Sequence, residues 1–104
     1  MSKATRPMIL RFGTPTLQKD MKRIHKMLIM AGYQKVDEKE DYDHYAHTVE
    51  QTLSAKLGLE KVLDKEGNEL MERIELILSD ADSHVNQTIY NALATVFPRE
   101  FTET

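Results

Sequence analysis

The sequence predicts a mainly α-helical fold, a small domain of three or four helices preceded by a short extended N-terminal segment. Apolar residues recur with a 3.6-residue period in three segments, at about 14–31, 41–57 and 80–97. Residues that suit helix ends bound each of them. A further segment, 68–78, is dominated by Glu, Leu, Met and Arg, which are strong helix formers. The competing reading is α+β, with residues 8–12 and a 59–78 hairpin making a small sheet. In either case the 104-residue chain forms one domain, read as a flexible arm (1–7), a single helical domain (8–98) and a tail (99–104).

Met8 to Phe12 reads as a short extended segment, with Met8, Leu10 and Phe12 on one face and Ile9 and Arg11 on the other. Thr14 to Gly32 follows as the clearest helix. Leu17, Met21, Ile24, Leu28 and Ala31 form its apolar stripe, and Lys19, Lys22, Arg23 and Lys26 oppose it. Thr14 suits the N-cap, Pro15 the first helical position and Gly32 the residue past the end. Residues 33–40 read as a polar connection. A second helix from Asp41 to about Leu57 would align Tyr42, Tyr45, Ala46, Val49, Leu53 and Leu57, with Gly58 as its stop.

Leu59 to Leu78 fits two patterns. As a hairpin it would turn at Asp64–Asn68, with Gly67 supplying a positive φ. As a helix, Leu70, Met71, Ile74, Ile77 and Leu78 share one face. The strand reading puts Glu72 on the same face as Ile74, Leu76 and Leu78, so helix is preferred. Ser79 or Asp80 would cap the last helix, whose main stripe is Ala81, Val85, Ile89, Ala92 and Val96, widened by Leu93, Tyr90 and Phe97. Pro98 ends it.

Composition narrows the function classes. Without Cys, the chain has neither disulfides nor thiolate chemistry, which fits a reducing cytoplasm. The start shows no apolar signal segment, and the longest apolar run, Met27 to Ala31, is too short for a transmembrane helix. The net charge of −3 hides a segregation: eight Lys/Arg face one acid up to Val36, and six face sixteen thereafter. Such asymmetry suggests a nucleic-acid or membrane surface at the basic end, or a basic helix lying beside the acidic ones, in its own chain or a partner's.

No phosphate loop, nucleophile elbow or desolvated acid pair is present, so no catalytic residue and no cofactor is expected. His44 and His47, with Glu40, Asp43 and Gln51, would share the exposed side of the second helix. A metal site there would need a supporting shell, and none is expected. Asp80 and Asp82 read as capping residues rather than a calcium loop, because Val85 and Asn91 stand where that loop needs Gly and Glu. Thr52 to Leu59 resembles the first half of a helix-turn-helix, but Asp64 and Gly67 fall at the core positions of its second half. A strand–helix–helix order with Ile9, Arg11 and Gly13 on the strand matches a ribbon-helix-helix protein in element order alone.

The function expected is therefore a non-catalytic cytoplasmic interaction or regulatory module that pairs with itself, as a homodimer, or with another protein. The outer side of the last helix motivates it. His84, Gln87, Thr88, Asn91, Ala94 and Thr95 include no fully charged residue, and charge-depleted patches beside aromatic residues resemble interface cores. The expected interface residues are Gln87, Tyr90, Asn91 and Phe97. The alternative is a dimeric nucleic-acid-binding regulator using Arg6, Arg11, Lys19, Lys22, Arg23 and Lys26.

Overall fold

The alternating run Met8–Phe12 does form a strand, β1, and its pairing partner decides the architecture. In the computed structural model, which describes residues 5–97 and 102–103, β1 lies antiparallel to a second strand from the far end of the chain, with Met8 opposite Leu78 and Phe12 opposite Ile74. The full order is β1 (Met8–Phe12), α1 (Leu17–Met30), β2 (Tyr33–Glu38), β3 (Tyr42–His47), β4 (Ser54–Leu63), β5 (Glu69–Leu78), α2 (His84–Val96) and β6 (Thr102–Glu103). The strands make one antiparallel sheet in the order β2-β3-β4-β5-β1-β6. This overturns the mainly helical fold. The small-sheet alternative also falls short, because it omits β2, β3 and the first half of β4.

The second predicted helix, 41–57, is β3, a turn and the start of β4. Its apparent stripe mixes two strands: Tyr45, Leu53 and Leu57 are buried, whereas Val49 is 78% exposed in the turn. Aromatic residues in β3 favour a pleated surface. The predicted 68–78 helix is β5, with Ile74, Leu76 and Leu78 fully buried on alternate positions. Glu72 does share their face, opposite Lys61, but it sits where the β4–β5 hairpin runs past the better-buried part of the core and is only half-buried. Gly67, at φ 84°, makes the hairpin turn, and the Asp64 carboxylate accepts the Glu66 and Asn68 amides at 2.9 and 2.8 Å.

Both helices pack on one face of the sheet, giving two layers around one core. Ile24 and Leu28 of α1, and Ile89 and Leu93 of α2, meet Leu10, Phe12, Tyr45, Leu57, Ile74 and Leu76. Helix α1 begins later than expected, with Thr16 at the N-cap. Thr14 serves another purpose: its hydroxyl and that of Thr16 donate to the buried Asp20 carboxylate at 2.6 and 2.8 Å. Gly32, at φ 101°, turns the chain from α1 into β2, and a Cβ there would lie 2.5 Å from the His47 ring.

Helix α2 begins at His84 with Ser83 at its N-cap, not at Ser79 or Asp80. Its buried stripe is also rotated. Asn86, Ile89, Leu93 and Phe97 face inward, while Ala92 and Val96 are exposed. Asn86 faces inward because both its polar atoms are satisfied there. Its Oδ1 accepts the Tyr33 hydroxyl at 2.6 Å, and its Nδ2 donates to the Asp80 carbonyl at 2.8 Å. Residues 1–4 of the arm, and 98–101 and 104 of the tail, lie outside the described residues. Residues 5–7 are exposed, and the Arg6 carbonyl accepts the Ala81 amide at 2.8 Å.

Candidate interaction surface

The rotation of α2 sets the character of the helix layer. With Asn86, Leu93 and Phe97 turned inward, the outer surface presents His84, Thr88, Asn91, Ala92, Thr95 and Val96. No Lys, Arg, Asp or Glu occurs between His84 and Phe97. Beside it, the second half of α1 contributes Met27, Met30 and Ala31. Together with Thr88, Ile89 and Ala92 these line an apolar groove of about 240 Å³. Met30 stands at its edge, 87% exposed. An unbranched, polarisable thioether exposed to that degree costs solvation free energy unless something covers it.

The four expected interface residues are placed differently. Asn91 is exposed on the outer surface. Gln87 is exposed too, but its amide donates to the Ala81 carbonyl at 2.6 Å and so helps hold the start of α2. Tyr90 is half-buried against the core. Phe97 is an internal residue of its own chain: it is buried, its ring centroid lies 4.6 Å from that of Phe12, and the Arg23 guanidinium lies 5.7 Å from its centroid. Sequence reading misses Met30 and Ala92, because the helical stripe it follows places Ala92 in the core. The signal available is Asn86, which falls in register with Ile89, Leu93 and Phe97.

The six expected nucleic-acid contacts are not brought together. Lys19, Lys22, Arg23 and Lys26 are exposed on α1, and Arg6 is exposed in the arm. Arg11 lies on the opposite, helix-free face of the sheet. There its Nε donates to Glu75 at 2.7 Å and to Glu60 at 3.1 Å. Arg73 pairs with Glu60 at 3.2 Å, and the Tyr42 hydroxyl donates to Glu75 at 2.6 Å. The register explains this cluster. Arg11, Glu75, Gly58 and Tyr42 stand in one row across β1, β5, β4 and β3, and Tyr42 reaches Glu75 over Gly58. The hydrogen bond to Glu75, with burial, pushes the Tyr42 hydroxyl up to about 12. The Arg73 guanidinium holds Glu60 below its ordinary range. Arg11, from the basic N-terminal third, is thus paired with acids from β4 and β5.

Comparison with protein-family models, curated proteins and solved structures gives no match.

The expected histidine patch is dispersed, because residues three apart on a strand point to opposite faces. His44 lies opposite Lys56 on the open face. His47 is 8% exposed on the other, where its Nδ1 accepts the Val49 and Glu50 amides at 3.2 and 2.9 Å. Nε2 therefore carries the proton and donates to the Ala31 carbonyl at 2.8 Å, tying the end of α1 to the β3–β4 turn. Among the described residues no three His, Cys, Asp or Glu side chains converge as a metal set.

A second concavity lies on the other flank of α1. Met21, Lys22, His25, Lys35, Asp43 and Leu57 line a groove of about 300 Å³. At its base His25 Nδ1 and the Tyr45 hydroxyl are hydrogen-bonded at 2.8 Å. Burial pushes the Tyr45 hydroxyl up to about 12, and its bond to His25 anchors α1 to β3. No helix among the described residues is long and apolar enough to cross a membrane.

Proposed function

We propose that the protein is a non-catalytic, cytoplasmic interaction module that self-associates through the outer surface of its helix layer. The observation that carries this reading is the pairing of a charge-free α2 with an exposed methionine beside an apolar groove. A symmetric contact requires one patch to hold both a projection and a recess. Met30 and the Met27–Ala31–Thr88–Ile89–Ala92 groove supply both within one surface. Its polar members, Asn91 and Thr95, are uncharged and suit hydrogen bonding across a two-fold axis.

The test is light scattering across a concentration series, with Ala92→Lys and Asn91→Lys as variants. The expected result is a wild-type dimer, and dissociation by either lysine, because each copy would desolvate a charge at the contact. A wild-type protein that stays monomeric at high micromolar concentration overturns the reading.

A second reading, a nucleic-acid-binding regulator, is supported by the four exposed cations of α1. Titration of duplex and single strands against salt separates it from the first. Replacing any one phosphate-binding cation by alanine should lower the salt slope by about one unit, and no binding at low salt removes this reading.

A further inference from the structure

The chain has neither Cys nor Trp. Its methionine thioethers are therefore the side chains that a mild two-electron oxidant such as hydrogen peroxide attacks first. Among the described residues they differ widely in access. Met8 is 1% exposed, in the core. Met21 and Met27 are half-buried against it. Met71 is 47% exposed, on the helix-free face of β5, with its ε-methyl against Gly13. Met30 is 87% exposed, the most open of the described methionines.

The fold does not require a thioether at this position. Lys19, Arg23 and Lys26 are exposed on α1 at i, i+4 and i+7, and Met30 is the next member of that series at i+11. A charged side chain there would be solvated as its predecessors are. Met30 instead projects at the edge of the groove lined by Met27, Ala31, Thr88, Ile89 and Ala92. Thr88 supplies the one polar side chain of that lining, and its hydroxyl already donates to the His84 carbonyl at 2.9 Å.

With peroxide, a sulfur lone pair attacks one peroxide oxygen, the O–O bond breaks, the S–O bond forms and water leaves. The sulfur is oxidised by two electrons and the peroxide is reduced by two. The product sulfoxide is polar, and a sulfoxide reductase returns it to the thioether. A sulfoxide seated in a partner's groove loses its water and meets no free side-chain donor, which opposes burial.

We propose that Met30 is an oxidation site that regulates self-association: peroxide converts its thioether to the sulfoxide in the free subunit, and the oxidised subunit pairs poorly. The inference rests on the self-association proposed above and adds its control. Linkage runs both ways, so pairing covers Met30 and slows its oxidation, while oxidation draws the equilibrium toward the monomer.

The experiment treats the full chain with hydrogen peroxide at low and high micromolar concentration and follows each methionine by peptide mass spectrometry. Sedimentation measures the dimer dissociation constant before and after oxidation, for the wild type, Met30→Leu and Met30→Gln. Met30 should oxidise first among the described methionines, Met71 next and Met8 last. High protein concentration should slow Met30 and leave Met71 unchanged. Oxidation should weaken the wild-type dimer about tenfold or more. Met30→Leu keeps an apolar side chain that peroxide does not attack, so its dimer should survive treatment. Met30→Gln, polar and unbranched, should pair weakly without peroxide. Circular dichroism spectra matching the wild type confirm that each variant folds.

The two readings fail differently. A wild type that is monomeric at both concentrations overturns self-association, and with it the control. A dimer whose dissociation constant is unchanged when Met30 is oxidised overturns the control alone. So does a Met30→Leu dimer that dissociates on treatment, because another methionine then carries the effect. Oxidation of Met71 ahead of Met30 in the free subunit, or a Met30 rate indifferent to pairing, overturns the assignment of the site.

Discussion

Replacing Gly58 with alanine separates the sheet from a helical arrangement of the same residues. Gly58 sits inside β4, between Tyr42 of β3 and Glu75 of β5. A Cβ there would lie 2.2 Å from the Asp41 carbonyl oxygen and 2.6 Å from Tyr42 Cδ1. The carbonyl belongs to the backbone entering β3 and moves only if the strand moves. Overpacking of this kind costs about 1–3 kcal/mol. Displacing the Tyr42 ring also strains its bond to the Glu75 carboxylate, and a hydrogen bond to a charged group contributes about 1.5–3 kcal/mol. The lower entropy of the unfolded alanine chain offsets about 0.4–1 kcal/mol. The net expectation is a loss of about 2–4 kcal/mol, which in a domain of this size lowers Tm by about 10 °C or more. Urea unfolding of Gly58→Ala, Tyr42→Phe and the double variant measures it. The two single losses should overlap, so the double variant costs clearly less than their sum. If Gly58 were the residue ending a helix at Leu57, alanine would cost about 1 kcal/mol and would not couple to Tyr42. A cost that small, or strict additivity, refutes the row Arg11–Glu75–Gly58–Tyr42.

Two further expectations concern the buried polar groups. Burial alone would raise Asp20, but the Thr14, Thr16 and Arg23 donors outweigh it and hold its carboxyl below the ordinary range. Its stabilising contribution is therefore present above the unfolded value near 4 and is lost as pH falls through the lower folded value. Asp20→Asn should cost about 1–3 kcal/mol at neutral pH, and thermal unfolding of the two proteins should converge toward pH 2; a gap that widens on acidification contradicts the assignment. Asn86→Leu should cost about 1–3 kcal/mol, since it strands the buried Tyr33 hydroxyl and leaves the Asp80 carbonyl with the Ser83 amide alone. Adding Tyr33→Phe should recover part of that loss in denaturant titrations, and two independent losses would show that the pair does not act together.

Sequence by itself determined the elements whose own periodicity matched their burial. In α1, Leu17, Met21, Ile24, Leu28 and Ala31 face the core as their spacing requires, because a helix closes its hydrogen bonds locally and needs only one face covered. Strand β1 was legible from its alternation. The charge-free side of α2 was legible from composition, since a missing charge is visible whichever way the helix turns.

The tertiary structure alone decided the rest. Strands β3, β4 and β5 satisfy their backbones only through one another, so a segment such as 68–78, strong in helix formers and compatible with both periods, takes the conformation its neighbours offer. Glu72 argues against a strand only if the whole face is covered, and it is not. The rotation of α2 was likewise set from outside, by the Tyr33 hydroxyl and the Asp80 carbonyl that make a buried place for Asn86. That rotation moved Ala92 and Val96 to the surface. Arg11 shows the same dependence: its partners Glu60 and Glu75 lie 49 and 64 residues away, a distance that only the sheet register closes.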